Sequence, residues 1–417
     1  MTYIEELGAK AKKASYTIAK ASTEKKNEAL RAIAKALIDN TEKIIEKNSL
    51  DIAKAKDNGI SDVMIDRLRL DEKRIKAISD AAIKLTGLAD PCGEVVGGGI
   101  RPNGMKIEKV RVPLGVIGII FESRPNVTVD AAALCLKAGN AVILRGGKEA
   151  INSNICLVEI MREAIKTVGF PEDVIQVITD TSHETANEFM RCNTYVDVLI
   201  PRGGAGLIRA CVNNATIPVI ETGTGNCHVF VDETADADMA VNIVNNGKTQ
   251  RPSVCNAVES LLVHEKIADR ILPLIKAKLD EHNVEIRGCK KTLEILGESD
   301  SVKPATDDDY MTEFLDYIIS CKVVSGVDEA IEHINRHTTH HSECIVTENF
   351  TNAERFAAEI DAAAVYVNVS TRFTDGEEFG FGAEIGISTQ KLHARGPMGL
   401  TELTTIKYLI RGNGQTR

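Results

Sequence analysis

The sequence predicts an α/β protein with two doubly wound domains and a small β flange that serves in oligomerisation. From Gly115 onward, short apolar segments of strand length alternate with segments of helical length. This order is typical of a parallel sheet covered by helices. The alternation resumes after residue 226, and 417 residues exceed what a single core usually holds. A segment with the pattern of a β-hairpin precedes the first series.

The first 90 residues are predicted to form helices. They are rich in Ala, Lys, Glu and Ile, and Leu30, Ile33, Leu37 and Ile38 recur at helical spacing. This pattern indicates amphipathic helices with their lysines on the solvated face. Residues 95–110 are then predicted to form a hairpin around a Pro-Asn-Gly turn.

The rest of the chain divides into two series of elements. The first predicts strands at 116–121, 141–144, 174–177, 196–200 and 217–220, with helices at 127–138, 149–167, 182–190 and 203–212. The second predicts strands at 228–231, 257–263, 317–324, 343–347 and 364–368, with helices at 236–246, 265–284, 327–335 and 351–360. Residues 403–410 alternate like an edge strand that could pair with the hairpin. We therefore expect one domain of residues 1–90 plus 112–225, a second of 226–400, and a flange of 91–111 plus 401–417.

Composition excludes several classes of function. The net charge is −10 and aromatic residues make up 4% of the chain, which disfavours nucleic acid or an acidic membrane as a partner. No segment approaches the ~20 apolar residues of a membrane span. Ten cysteines without paired spacing indicate reduced thiols and a cytoplasmic protein. No CxxC occurs, and no nearby carboxylate or cysteine completes a plausible ligand set with His337, His340 and His341, so we expect no metal.

Cys255 is the candidate nucleophile. It ends the polar segment GKTQRPSVC at residues 247–255 and precedes a predicted strand. A thiol near Lys248 and Arg251 would ionise more readily than a free thiol, and the thiolate is the form that attacks acyl groups. The alternative is a small thiol that simply packs, as most of the other nine are expected to do.

Two glycine-rich loops follow predicted strands of the first domain. Arg145, Gly146, Gly147 and Lys148 follow one strand, and a second loop of Arg202, Gly203, Gly204 and Gly206 opens a helix. Glycine lets the backbone approach a phosphate, and a helix start supplies unpaired N–H groups and positive potential. The two loops together favour a dinucleotide, and Lys148 suggests a ribose with an extra phosphate. The alternative for either loop alone is a turn beside a solvated arginine.

Several segments resemble the aldehyde dehydrogenase superfamily in order and spacing. They are PLGVIG at 113–118, KAGNAVILR at 137–145, GFP at 169–171, ETGTGN at 221–226, and Cys255. Others are more narrowly similar to the gamma-glutamyl phosphate reductase family: FESRPN at 121–126, IETGTGNCH at 220–228, YVNVSTRF at 366–373 and FGFGAEIGISTQKLHARGP at 379–397. The resemblance covers essentially the whole chain and implies an aldehyde-dehydrogenase-like fold.

The resemblance also implies roles for individual residues. Cys255 takes the nucleophile position, Arg145 and Lys148 take positions beside the cofactor ribose, and the cation at 148 implies NADP(H). Glu313 matches a glutamate that contacts the ribose. Glu221 matches the base that activates water in oxidising relatives, although a reductase of acyl phosphates should keep water away. Glu122 stands where relatives have the asparagine that stabilises the oxyanion, so Asn126 is the candidate donor.

The implied reaction is the reduction of L-glutamyl 5-phosphate by NADPH to L-glutamate 5-semialdehyde, through a thioester on Cys255, in proline biosynthesis. Arg124, Arg251, Arg372 and Arg395 are candidates for binding the charged ends of the substrate, and a solvated surface arginine is the alternative for each. Exposed edges of the predicted hairpin favour pairing with another copy, so we expect a homodimer or homotetramer. Glutamate 5-kinase is a candidate partner, because acyl phosphates are labile and direct transfer would help. Two alternatives remain: an NADP-dependent dehydrogenase that oxidises a small aldehyde, and a catalytically silent nucleotide-binding protein.

Overall fold

A computed structural model describes the backbone of residues 1–417 and all side chains except those of residues 62 and 63. Backbone contacts divide the chain into two units. Unit 1 comprises Met1–Thr222, Gly380–Gly386 and Met398–Arg417, and unit 2 comprises Gly223–Phe379 and Ile387–Pro397. Among the helices described, none is both long and apolar enough to cross a membrane.

Unit 1 begins with helices that bury one face each. They are α1 Tyr3–Ile18, α2 Thr23–Asp39, α3 Thr41–Asp57, α4 Asp62–Leu68 and α5 Glu72–Lys84. In α2 the Ser22 hydroxyl caps the helix by accepting from the Lys25 N–H, and Leu30, Ile33 and Leu37 are fully buried. Ile38 was predicted on the same face but is 45% exposed, because it falls one step beyond the buried stripe.

The sheet of unit 1 is parallel and has the strand order β5-β4-β3-β6. Its strands are β3 Val116–Phe121, β4 Ala141–Arg145, β5 Ile175–Val177 and β6 Val198–Arg202. The helices between and after them are α6 Asn126–Lys137, α7 Ile151–Thr167, α8 His183–Met190 and α9 Ala205–Asn214. All six residues of β3 are buried, as expected of a central strand covered on both faces.

One predicted strand of unit 1 is wrong. Residues 217–220 form only an isolated bridge between Leu199 and Val219 and no regular strand. Pro218 lies in the middle of this segment, and proline has no N–H to donate to a ladder. The segment therefore runs beside β6 with only two backbone hydrogen bonds of 2.9 Å.

The flange is a separate antiparallel sheet in unit 1. Its strands are β1 Val95–Ile100, β2 Lys106–Pro113 and β16 Thr404–Arg411, in the order β1-β2-β16. The last strand pairs with β2 along eight residues, which agrees with the predicted pairing of hairpin and tail.

Unit 2 contains a parallel sheet in the order β10-β9-β11-β8-β7-β12-β13. The strands are β7 Cys227–Val231, β8 Val258–His264, β9 Glu285–Gly288, β10 Val302–Pro304, β11 Ile318–Val324, β12 Ser342–Val346 and β13 Ala364–Val367. Its helices are α10 Ala237–Thr249, α11 Glu265–Asp280, α12 Lys290–Leu296, α13 Val327–His337 and α14 Phe350–Glu359. A two-stranded ribbon of β14 Ile387–Ser388 and β15 Gly396–Pro397 completes the unit.

Five elements of unit 2 are absent from the sequence prediction: β9, α12, β10, β14 and β15. They are short, and β9 carries Glu285 and Arg287, so it has no continuous apolar run. The predicted second domain also differs at its end. Residues 380–386 and 398–400 were assigned to it but cluster with unit 1, because Gly382 packs on Leu88 and Gly386 on Arg202.

Candidate active site

Three loops meet at the carboxyl edge of the unit 1 sheet. Residues 122–126 follow β3, residues 146–148 follow β4, and residues 203–204 follow β6. The strand β3 lies between β4 and β6, so the chain runs outward from β3 in both directions. Such a reversal opens a crevice at the carboxyl ends of the strands, where open α/β sheets bind their ligands.

In the loop after β4 the Lys148 side chain is exposed, whereas the Arg145 side chain is hydrogen-bonded to the protein. Gly146 and Gly147 are buried, and Lys148 is exposed at the start of a helical turn. The guanidinium of Arg145 donates to the Thr181 carbonyl oxygen at 2.9 Å, and burial lowers its pKa. Lys148 is therefore available to an anionic ligand, whereas Arg145 is partly engaged with the chain.

The loop after β6 presents the N-terminus of α9. Gly204 is the N-cap, and Gly203, Gly204 and Gly206 are all exposed. The Gly204 N–H donates to a carboxylate oxygen of Glu122 at 2.9 Å, and a Cβ on Gly203 would lie 2.4 Å from that oxygen. An anionic group thus occupies the helix N-terminus in this structure. The loop fits a phosphate of a dinucleotide, because it accommodates negative charge at its amides.

Asn126, the candidate oxyanion donor, is the first residue of α6. Its amide donates to Asp130 at 3.0 Å, one turn along the helix. Burial raises the pKa of Asp130 to about 6, against the opposing effects of that hydrogen bond and of Arg202. Arg124 is exposed in the preceding loop, and Glu221 is half-buried beside Thr222, whose hydroxyl donates to the Pro201 carbonyl.

Cys255 lies in unit 2 on the loop that connects α10 to β8, at the amino-terminal edge of the sheet, and it is partly exposed. Gly225 approaches it so closely that a Cβ at position 225 would lie 1.4 Å from the Cys255 carbonyl oxygen. The buried Cys227 thiol donates to the same carbonyl oxygen at 3.2 Å. These two contacts to the Cys255 carbonyl oxygen fix the backbone of the loop, and only a glycine fits at position 225.

The segment 368–374 holds the other side of this loop. The Asn256 amide donates to the carbonyl oxygens of Arg372 (3.3 Å) and Thr374 (3.0 Å), and the Thr371 hydroxyl donates to the Asn256 carbonyl at 2.7 Å. Asn256 is the residue next to the nucleophile, so the two segments are fixed to each other.

Two of the predicted arginines are near the thiol. Burial lowers the pKa of Arg372 and the charge of Arg251 lowers it further, whereas the thiol of Cys255 raises it. Arg372 is therefore within electrostatic range of both Arg251 and Cys255. Neither arginine forms an ion pair with any carboxylate whose side chain the structure describes, so both charges are available to an anionic ligand.

Lys248 does not take the expected place beside the thiol. It is fully buried and forms an ion pair with the fully buried Glu259, with its Nζ atom 2.5 Å from a carboxylate oxygen. Burial lowers the pKa of Lys248 and raises that of Glu259 to about 7. The polar segment before Cys255 correctly indicated a cation at 248, but nothing in the sequence indicated that Glu259, on the adjacent strand, would bind it.

Glu313 and Arg395 also have partners within unit 2. The Gly225 N–H donates to the Glu313 carboxylate at 2.7 Å, so this glutamate positions the turn that contacts Cys255. Arg395 pairs with Asp361 at 2.8 Å, and Lys391 binds the same carboxylate. The structure therefore places Arg372 within electrostatic range of the candidate nucleophile and of Arg251, and it engages Arg395 in a surface ion pair.

The histidines of unit 2 are mostly structural. His228 is fully buried against Glu343, with its Nδ1 atom 2.9 Å from a carboxylate oxygen, and His333 stacks on His337 with ring centroids 4.2 Å apart. Among the described residues, no group of three or more His, Cys, Asp or Glu side chains could hold a metal ion.

Cys227 is the main residue that the sequence analysis missed. Adjacent parallel strands begin at the same edge of a sheet, so the starts of β7 and β8 bring Cys227 and the Cys255 loop together. That signal was present in the sequence, but it required knowing that β7 and β8 are neighbours.

The chain belongs to the aldehyde dehydrogenase family. The sequence model described as "Aldehyde dehydrogenase family" matches residues 2–292 and 311–409. The chain is thus an oxidoreductase of a family that depends on pyridine nucleotides.

More specific likenesses are to gamma-glutamyl phosphate reductases. That of Clostridium perfringens is 60% identical over 410 residues, covering 98% of each chain, and that of Carboxydothermus hydrogenoformans is 60% identical over the full length of both. The crystal structure of the gamma-glutamyl phosphate reductase of Thermotoga maritima superimposes with a TM-score of 0.98 at 52% identity, covering 100% of both chains. An acetylating aldehyde dehydrogenase of Geobacillus thermoglucosidasius, 18% identical, shares the fold with a TM-score of 0.70 over 99% of this chain and 97% of its own.

Proposed function

We propose that this protein reduces L-glutamyl 5-phosphate to L-glutamate 5-semialdehyde and phosphate, as a step of proline biosynthesis. The observation that carries the proposal is the 60% identity, over the full length, to relatives named gamma-glutamyl phosphate reductase. The partly exposed Cys255, with Arg372 in its electrostatic range and Arg251 in the same loop, both without a described carboxylate partner, supports an anionic acyl substrate.

In the proposed mechanism the Cys255 thiolate attacks the acyl carbon, and phosphate leaves to give a thioester on the protein. Arg251 and Arg372 stabilise the thiolate and the anionic substrate. NADPH, when held by the glycine loops of unit 1, would supply the hydride for reduction of the thioester to a thiohemiacetal. The thiohemiacetal then releases the aldehyde and regenerates the thiolate. Asn126 is the proposed side-chain donor to the oxyanion, together with the Cys255 N–H.

The residues proposed to hold NADP(H) are those at the carboxyl edge of the unit 1 sheet. Gly203, Gly204 and Gly206 offer the helix N-terminus to the pyrophosphate, with Arg145, Gly146 and Gly147 in the neighbouring loop. Exposed Lys148 is suited to a 2′-phosphate on the ribose. Glu313 is the proposed ribose contact, although it binds the Gly225 amide here. We propose a role in substrate binding for Arg124 and Arg395 only as weaker alternatives to Arg251 and Arg372.

The test is the reverse reaction, in which semialdehyde, phosphate and NADP⁺ give acyl phosphate and NADPH. Replacement of Cys255 by Ser is expected to lower turnover by a factor of about 10³ or more, because a hydroxyl is a far weaker nucleophile than a thiolate. NADP⁺ should be preferred to NAD⁺ in the same assay, and Lys148→Ala should reduce that preference. Retained turnover in Cys255→Ser would reject the covalent mechanism. Turnover without phosphate would instead support an NADP-dependent dehydrogenase that oxidises small aldehydes.

The assembly and location are proposed on other grounds. The flange leaves β1 and β16 as sheet edges, and exposed edges favour pairing with another copy, so we propose a homodimer or homotetramer. All ten cysteines are free thiols, which supports a reducing cytoplasmic environment. Glutamate 5-kinase is the proposed partner, since acyl phosphates hydrolyse readily.

A further inference from the structure

Unit 2 contains a cavity of about 580 Å³ beside the segment that holds the Cys255 loop. Its lining includes Asn246 and Gln250 near the end of α10, Ser370 and Arg372 after β13, and Glu378. The Ser370 hydroxyl donates to the Asn246 side-chain oxygen at 2.7 Å, and the Arg372 guanidinium donates to the Gln250 oxygen at 3.0 Å. The cavity is therefore formed by two segments that are hydrogen-bonded to each other, and it places these polar groups beside the apolar side chains of Ile243, Val369 and Phe373.

The cavity presents both signs of charge. Arg372 is partly buried without a carboxylate partner among the side chains that the structure describes, and the charge of Arg251 makes its cationic form less favourable still. Glu378 is exposed, and no described side chain forms an ion pair with it. A cation deprived of water is stabilised by an anionic ligand, and a carboxylate by a cationic one. A zwitterion is the ligand that satisfies both.

The cavity also adjoins the Cys255 loop, because the Asn256 amide donates to the carbonyl oxygen of Arg372 at 3.3 Å. Arg372 lines it and is within electrostatic range of the Cys255 thiol. In a glutamyl group three carbon–carbon bonds separate the acyl carbon from the α-carbon, a reach of about 4 Å. A glutamyl group bonded to Cys255 would thus carry its charged end to the neighbourhood of Arg372.

We propose that this cavity binds the α-amino-acid end of the substrate, with Arg372 against the α-carboxylate and Glu378 with the Asn246–Ser370 pair against the α-ammonium, and that it thereby keeps the amino group away from the acyl carbon. This inference rests on the proposed function. It adds a binding site for the α-amino-acid end of the substrate and explains why the cavity carries charges of both signs.

The cavity's charges of both signs would prevent an intramolecular side reaction of the thioester. If the α-ammonium loses a proton to water, its nitrogen can attack the acyl carbon of the thioester and close a five-membered lactam. The carbon–nitrogen bond forms, the carbon–sulfur bond breaks with its electron pair returning to Cys255, and the second amine proton is lost to water. No oxidant or reductant is needed. An ammonium held by a carboxylate stays protonated and at a fixed distance from the acyl carbon. The cavity thereby suppresses the loss of the thioester through lactam formation.

The experiment uses Glu378→Gln and Ser370→Ala, with Glu354→Gln as the matched control. Glu354 is an exposed glutamate on α14 without an ion pair among the described side chains. The KM for L-glutamate 5-semialdehyde is measured with saturating phosphate and NADP⁺, and again for 5-oxopentanoate, which lacks the amino group. In a separate incubation without phosphate, the five-membered lactam (5-oxoproline) released per enzyme is quantified by mass spectrometry.

Glu378→Gln is expected to raise the KM for the semialdehyde roughly tenfold, the effect of losing one charge-assisted hydrogen bond. It should leave the KM for 5-oxopentanoate nearly unchanged and increase lactam release, with smaller effects of the same kind for Ser370→Ala. Unchanged KM and lactam values, or equal losses on both aldehydes, would overturn the inference. An equal melting temperature and an equal rate of Cys255 alkylation show that a variant is folded. Failure of the proposed function is distinct, because the wild-type protein would then show no phosphate-dependent turnover of the semialdehyde.

Discussion

At the scale of single residues, the nucleophile is held by its backbone. The Cys255 carbonyl oxygen contacts Gly225 and accepts from the Cys227 thiol, and the Asn256 amide next to it donates to two carbonyl oxygens of the segment 368–374. Cys255 as a residue is partly exposed. This arrangement suits the proposed nucleophile, because a fixed main chain orients the sulfur.

Cys227 should matter for activity although it is fully buried. In Cys227→Ala the Cys255 carbonyl loses a hydrogen bond and gains a small void, so the loop should loosen and kcat should fall about tenfold, equivalent to about 1.4 kcal/mol. In Cys227→Ser a hydroxyl can donate in the same place, and most of the activity should return. Steady-state kinetics of both variants check this, and an inactive Ser variant beside an active Ala variant would contradict it.

At the scale of elements, one buried ion pair joins the helix before the nucleophile to the strand after it. Lys248 is in the last turn of α10 and Glu259 is in β8. The burial that lowers the pKa of Lys248 and raises that of Glu259 shows that both charges are held at a cost in hydration. The pair therefore favours one specific register of the Cys255 loop more than it adds to stability.

Replacing one member of this pair is expected to destabilise the protein more than replacing both. Lys248→Met leaves an uncompensated buried carboxylate and should lower the free energy of unfolding by about 3–5 kcal/mol. The double variant Lys248→Met/Glu259→Leu should recover most of that loss. Urea denaturation of the single and double variants measures the coupling, and additive losses would show that the pair does not act as a unit.

Two buried histidines should make the protein sensitive to acid. Burial lowers the pKa of His333 to about 2 and that of His341 to about 4, from an ordinary value of 6.5. The unfolded chain therefore binds protons below about pH 6.5 that the folded chain does not bind. Their contribution to stability is complete above that pH and is lost as the pH falls, by on the order of 1–2 kcal/mol per histidine near pH 5.

The measurement is the melting temperature between pH 8 and pH 5. The wild-type protein should lose stability across this range, and His341→Asn should lose less, because asparagine can still bond Ser342 but does not titrate. His183→Asn, at an exposed position in the first turn of α8, is the control and should follow the wild type. If the melting temperature falls equally with pH in all three proteins, burial of His341 does not cause the loss of stability in acid.

At the scale of the whole molecule, the flange is the feature that points to assembly. Ile100, Tyr408 and Ile410 are 75%, 60% and 61% exposed on its strands, in a sheet with two open edges. Exposed apolar side chains on such edges support the homo-oligomer proposed above.

Charges placed on the flange should separate the copies. Ile100→Lys combined with Ile410→Lys is expected to reduce the oligomer to monomers at micromolar concentration, because like charges and lost apolar contact both oppose pairing. Light scattering coupled to gel filtration reports the mass. Leu274→Lys, a matched change at an exposed position of α11, should leave the assembly intact. An unchanged mass for the flange variant would place the interface elsewhere.

Much of the fold follows from local pattern. The strand of residues 116–121 was predicted with its observed bounds, and the elements around Cys255 within a few residues, because continuous apolar runs and helical spacing are local properties. The short strand Glu285–Gly288 was missed because two of its four residues are charged and its apolar contacts come from distant parts of the chain.

By itself the sequence determined the α/β class and the position of the two glycine loops, and it singled out Cys255 as the candidate nucleophile, since each depends on residues that are neighbours in the chain. Only the tertiary structure decided that Lys248 pairs with Glu259 and that Arg372 stands uncompensated at a cavity with Glu378. It also decided that the Cys227 thiol donates a hydrogen bond to the Cys255 carbonyl oxygen. These pairings depend on which strands are adjacent and on how much water each charge loses, and both are set by the packing of distant segments.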